Sequence, residues 1–167
     1  MKFRIAAVTA LLAAGAAFAA AEEVKINTTE INGRLVDDTN LPFVNDPAVL
    51  GEWRSVDFVR EPGRFVPGKK QFGGSLFLEG LTFLPEGRTA VPWFGWTRGV
   101  VMHLGGDHTA SRYSIKELNG AVYMFFEWKS GDYIIRRKKP QYYVLKKVVP
   151  GAGPGGLAPT LIRTEKN

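Results

Sequence analysis

His103 and His108 flank Gly105-Gly106-Asp107, and two imidazoles with one carboxylate are a donor set that could hold zinc with an open position. Against that reading, His108 directly follows Asp107 in a turn, where neighbouring side chains diverge. Asp57, His103 and Glu127 form a hydrolytic cluster only if their strands are neighbours. The chain has no Gly-x-Ser-x-Gly elbow, no His-Glu-x-x-His, no phosphate-cradling glycine loop and no cysteine. No residues select a carboxylate pair for glycoside chemistry. A binding role with no catalytic residue, cofactor or metal is therefore the leading expectation, and a hydrolytic enzyme ranks third.

The residues suited to binding are aromatic and basic. Arg136-Arg137-Lys138-Lys139 precedes Tyr142-Tyr143. One arginine could reach into a core and fix an anionic head group with tyrosine hydroxyls beside it. The alternative is a solvated hairpin whose basic residues blunt a sheet edge. Pro92-Trp93-Phe94-Gly95-Trp96 could line a pocket mouth or simply pack on the two sides of a wall.

The elements that must position these groups are short and β-patterned. Trp53–Val59, Leu76–Leu84, Thr89–Thr97, Val100–Leu104, Arg112–Leu118, Val122–Trp128, Tyr133–Arg137 and Tyr142–Val148 follow at roughly ten-residue spacing with turn residues between them. Gly80 inside the second implies a bulge or sharp bend, Pro92 an edge or bulge, and Asn119-Gly120 a two-residue hairpin. Before them, Asp46-Pro47-Ala48-Val49-Leu50 reads as one helical turn, with Asp46 as its cap and Pro47 at its first position. No stretch after the leader has sustained helical periodicity. The expected fold is all-β, an antiparallel barrel of about eight strands with a short N-terminal helical turn.

Charge phases the strands, because a core-facing side chain is not charged without a partner. Glu127 and Lys129 share a parity with Tyr123 and Phe125, leaving Val122, Met124, Phe126 and Trp128 as the interior set. If Trp53 is interior, the same alternation carries Asp57 inward, with Arg136 as the nominated cation. The other reading of Asp57 is a strand-end carboxylate in water. The resulting ligand-binding candidates are Trp53, Asp57, Tyr113, Met124, Phe126, Trp128, Arg136 and Tyr142.

Residues 1–21 read as a signal peptide: Met1-Lys2-Phe3-Arg4 is basic, Ile5–Ala14 apolar, and Ala17-Phe18-Ala19 or Ala19-Ala20-Ala21 a small-residue cleavage site. The apolar stretch is short for a membrane span, so export without a remaining span, to the periplasm or the cell exterior, is expected. With no cysteine, the exported chain relies on burial alone. Removing Lys2 and Arg4 leaves 20 basic against 16 acidic residues, a net charge of +4. Such a mild excess serves solubility or attraction to anionic envelope components, and nucleic acid is not an expected partner. Residues 22–45 read as a lead-in with one strand at Val24–Ile26 or Arg34–Val36, 46–149 as the barrel domain, and 150–167 as a disordered Gly/Pro-rich tail.

Gly51-x-Trp53 on the first strand, with the closing basic strand, resembles lipocalin-like (calycin-type) barrels, in which a glycine admits the chain and an indole plugs one end. Longer strings carry a second likeness: Phe43 to Val59, Tyr123 to Tyr133 and Lys139 to Lys147 resemble an extracytoplasmic domain appended to bla-regulator-type membrane metallopeptidases of Gram-positive bacteria. That likeness spans about Leu41 to Val148, and the peptidase's zinc motif is absent here. The resemblance implies a barrel, and the leading expectation is that it holds a small hydrophobic, aromatic or anionic amphiphile by burying the ligand's apolar area. Alternatively, a barrel filled by its own side chains would serve as a sensor accessory or interaction module for an envelope protein.

Overall fold

The computed structural model describes residues 24–129, 134, 137 and 139–150, so the leader and tail expectations, and Arg136, lie outside the described residues. Nine strands are described: β1 (Thr28–Ile31), β2 (Arg34–Asp37), β3 (Gly51–Val59), β4 (Gly80–Phe83), β5 (Phe94–Thr97), β6 (Val100–His103), β7 (Thr109–Leu118), β8 (Ala121–Trp128) and β9 (Gln141–Lys147). β3 to β9 form one antiparallel sheet in the order β4-β3-β9-β8-β7-β6-β5. The sheet curls until its edges nearly meet. Residues 87–90 span the gap, with bridges Phe83–Thr89 and Arg88–Gly95 and a Trp96 N–H donated to Gly87 O at 2.8 Å.

The fold is thus an all-β, nearly closed barrel. Among the described residues it has seven strands, plus a separate β1-β2 hairpin. Of the expected strand Tyr133–Arg137 only Ile134 and Arg137 are among the described residues, and the rest of it lies outside them. Ile134 is helical there, and Arg137 turns at φ +49 with its N–H on Ile134 O. Leu76–Leu84 contributes strand only over Gly80–Phe83. A Cβ on Gly80 would meet the Trp53 carbonyl at 2.4 Å, so the close approach of β4 to β3 requires glycine. Asn119-Gly120 joins β7 to β8 with φ of +52 and +73, the left-handed pair a two-residue hairpin needs, and Asn32-Gly33 joins β1 to β2 in the same way.

One end of the barrel is closed. Asp46 Oδ1 accepts the Ala48 N–H at 3.1 Å and caps the turn that leads into β3. That turn seats Val49 beneath the sheet. Trp53 is fully buried, and its Nε1 donates to Val49 O at 2.6 Å. Around it lies the main core, including Leu81, Phe83, Trp96, Tyr113, Met124, Phe126 and Leu145. Trp96 Nε1 donates to the carbonyls of Leu84 and Arg88, each at 2.8 Å, which ties the gap-spanning segment to the core.

Two further apolar clusters lie on the outer face of the wall. Val59, Tyr123, Phe125 and Val144 are covered by the chain that follows β3 through Phe65. Val100, Met102 and Ala110 are covered by Val24, Ile26 and Leu41 of the N-terminal segment. A β1-β2 hairpin, rather than one strand, anchors that segment, and Asp37 N–H donates to His108 O. No helix among the described residues is long and apolar enough to cross a membrane.

Candidate functional site

At the end opposite Trp53 the interior is not filled. A cavity of about 280 Å3 opens there, lined by Phe77, Trp93, Phe94, Val101, Phe126 and Trp128 on its apolar sides. Its polar side is made by His103, Asp107, Thr109, Ser111 and Lys129. The strands explain this division. Phe126 and Trp128 alternate inward on β8, Val101 and His103 on β6, and Thr109 and Ser111 on the first half of β7. The small hydroxyl side chains of Thr109 and Ser111, both buried, leave the room that bulky residues fill at the closed end.

The wall beside the cavity is split. β7 pairs with β6 over Thr109–Arg112 but with β8 only from Tyr113 onward. Between Ala110–Arg112 and Glu127–Lys129 side chains replace the missing ladder. Glu127 Oε2 accepts the Arg112 N–H at 2.9 Å, Lys129 Nζ donates to Ala110 O at 2.6 Å, and Asp37 Oδ2 accepts the Ala110 N–H at 2.8 Å. Lys129 is also within ion-pair distance of Asp37 (3.5 Å) and Glu127 (3.8 Å), and all three side chains are largely buried. Burying such groups costs several kcal/mol unless each meets an opposite charge and hydrogen-bond partners, as these three do. The N-terminal hairpin therefore braces the rim of the cavity.

His103 stacks at a tilt on Phe94, with ring centroids 5.0 Å apart. Burial lowers its pKa below the ordinary imidazole value, His108 adds to that, and Asp107 opposes it. The ring is thus neutral near pH 7, offering one donor and one acceptor to the cavity. Among the described residues no group of three or more His, Cys, Asp or Glu is placed to hold a metal ion.

The eight candidate residues separate in space. Phe126 and Trp128 line the cavity, with ring centroids 6.1 Å apart. Trp53, Tyr113 and Met124 belong to the packed closed half. There Tyr113 donates its hydroxyl to Asp46 Oδ2 at 2.7 Å, and burial with that bond raises its pKa well above the ordinary phenol value.

Asp57 and Tyr142 lie on the outer face. The alternation that carried Asp57 inward fails because β3 is bulged between Ser55 and Asp57, and the extra residue exchanges the two faces. Phe58 then pairs with inward Tyr143, while Asp57 pairs with Val144 and Val59 with Tyr142 on the outside. Asp57 is nonetheless fully buried. It accepts backbone N–H groups from Phe58 (2.8 Å), Gln71 (3.0 Å) and Phe72 (2.9 Å), which bind the 60–75 strap to the wall.

Trp93 and Phe94 flank the cavity as one of the two readings of that aromatic run had it, whereas Trp96 is core. Phe77, Val101, Thr109, Ser111 and Lys129 were not singled out from sequence. Thr109 and Ser111 share a parity with inward Tyr113. Extending β7 three residues toward the Gly105-Gly106-Asp107 turn would have exposed that signal. No protein-family model, curated protein or solved structure matches this chain.

Proposed function

We propose that this is an exported binding protein that holds a small, flat, largely apolar molecule in the open end of its barrel. The observation that carries the reading is the aromatic cavity of about 280 Å3 above an otherwise packed core. Its volume lies near the lower edge of small-ligand sites, of roughly 300 Å3, and suits two fused rings rather than a long acyl chain. The apolar walls supply affinity. Covering about 250 Å2 of apolar ligand surface at ~25 cal/mol per Å2 gives ~6 kcal/mol, and ordering costs bring the dissociation constant to about 0.1–1 mM. Neutral His103 and the hydroxyls of Thr109 and Ser111 favour a ligand with one hydroxyl or amide group.

Isothermal titration with 1-naphthol tests the proposal, alongside Ser111→Phe, which fills the cavity. Wild-type protein should bind one equivalent and Ser111→Phe none, with the variant's unfolding still cooperative. Equal binding by both would refute the site. Native mass spectrometry of protein purified from its own host would then identify a retained molecule.

A second reading has its own support. Phe77 and Trp93 stand 44% and 41% exposed at the opening, and Leu104, whose N–H donates to Trp93 O, is 45% exposed beside them. An apolar rim of this kind also suits docking to another envelope protein, as the likeness to the sensor-associated domain implies. A Leu104→Ser variant that keeps 1-naphthol affinity but loses a co-purifying protein would favour that reading.

A further inference from the structure

The outer wall carries a cleft of its own. Strand register places Lys116 opposite Tyr123, Tyr123 opposite Lys146, and Lys146 opposite Arg54, one row crossing β7, β8, β9 and β3. Directly opposed residues share a face, and Tyr123 belongs to the outer cluster, so the row faces outward. Like charges set directly opposite each other, as Lys146 and Arg54 are, destabilise a sheet. Arg54 is offset by Glu52 at 2.9 Å. Among the described residues no carboxylate lies at ion-pair distance from Lys69, Lys70, Lys116 or Lys146.

The strap after β3 adds to this charge. Phe65 packs on the rings of Tyr123 (centroids 5.0 Å) and Phe125 (5.8 Å). A turn through Gly68, at φ +81 with the Lys69 N–H on Val66 O, then brings Lys69 and Lys70 over the row. Asp57 holds the far end through the Gln71 and Phe72 amides. The result is a cleft of about 300 Å3 with an apolar floor of Val56, Phe65 and Tyr123 and a rim of Lys69, Lys70 and Lys146. We infer that this cleft binds a small soluble anion on a flat apolar body, of the aryl phosphate or aryl carboxylate class. The ring lies on Phe65 and Tyr123, and the acid group meets the lysine ammonium groups. The cleft is on the other side of the wall from the barrel cavity, so neither reading depends on the other.

The test is a 15N–1H titration of the full chain with phenyl phosphate, with neutral benzyl alcohol in parallel. Phenyl phosphate should shift the amides of Lys69, Lys70, Tyr123 and Lys146 saturably, and benzyl alcohol should leave them in place. The double variant Lys69→Gln, Lys146→Gln should weaken phenyl phosphate binding at least tenfold. Both side chains are exposed, so its melting temperature and 1-naphthol affinity should match wild type. Unchanged affinity in the double variant, or shifts confined to other surfaces, would overturn the site. So would sedimentation with phosphatidylglycerol vesicles in a protein that ignores phenyl phosphate, since that result assigns the charge to a membrane surface.

Discussion

Replacing Trp53 by alanine removes the plug of the closed end, and the structure sets the size of the effect. The indole is completely buried among the main core residues, so its loss opens a cavity that surrounding β-strands cannot collapse into. Truncations of that kind cost about 3–5 kcal/mol. A further ~1 kcal/mol comes from the Val49 carbonyl, which loses the Nε1–H donated at 2.6 Å. Lys147 Nζ, 5.2 Å from the ring centroid, forfeits a cation–π contact at the barrel's edge worth about 0.5 kcal/mol. The expected total is about 4.5–6.5 kcal/mol, comparable to the whole stability of many domains this size. Trp53→Phe keeps most of the apolar volume and loses the donor, so it should cost about 1–2 kcal/mol. Urea unfolding followed by circular dichroism measures both. Losses below 1 kcal/mol for Trp53→Ala, or equal losses for the two variants, would refute the plug.

Asp57→Ala should cost about 2–4 kcal/mol and speed proteolysis within 60–75, because three backbone N–H groups lose one carboxylate acceptor. Asp57→Asn, which retains an acceptor oxygen, should cost clearly less in the same urea assay. Lys129→Met withdraws the cation facing Asp37 and Glu127 and should cost about 3 kcal/mol, with hydrogen exchange accelerating first in β1 and β2. For His103 the folded pKa lies below the unfolded one, so the unfolded chain takes up the proton more readily. Its contribution is therefore intact above about pH 6.5 and declines as pH falls below that value. The urea midpoint should drop on acidification, and His103→Gln should flatten that slope.

Local chemistry in the chain spoke clearly about the closed end. Gly51-x-Trp53, the Asp46-Pro47 cap and the Asn119-Gly120 hairpin each act over a few residues, and each stands where its residue types require. The barrel's interior set on β8, Val122, Met124, Phe126 and Trp128, followed from one alternation and the charges of its neighbours. The open end was harder to see. A single bulged residue in β3 reverses the phase of Asp57, and no residue in Ser55-Val56-Asp57 announces it. The cavity depends on Thr109 and Ser111 facing Phe126 and Trp128 across a split in the wall. That split is sealed by Lys129, Glu127 and Asp37, residues up to 92 positions apart whose side chains do the work of a strand ladder. Short-range pattern carries no record of such a seam.

The account turns on a barrel whose closed half is packed and whose open half admits a ring system. Intermolecular nuclear Overhauser effects between protein and bound 1-naphthol address that division directly. Contacts should come from the Val101 methyls and the rings of Phe94, Phe126 and Trp128, with none from Trp53 or Met124. Contacts with Trp53 and Met124, or with only the exposed Phe77 and Trp93, would contradict it.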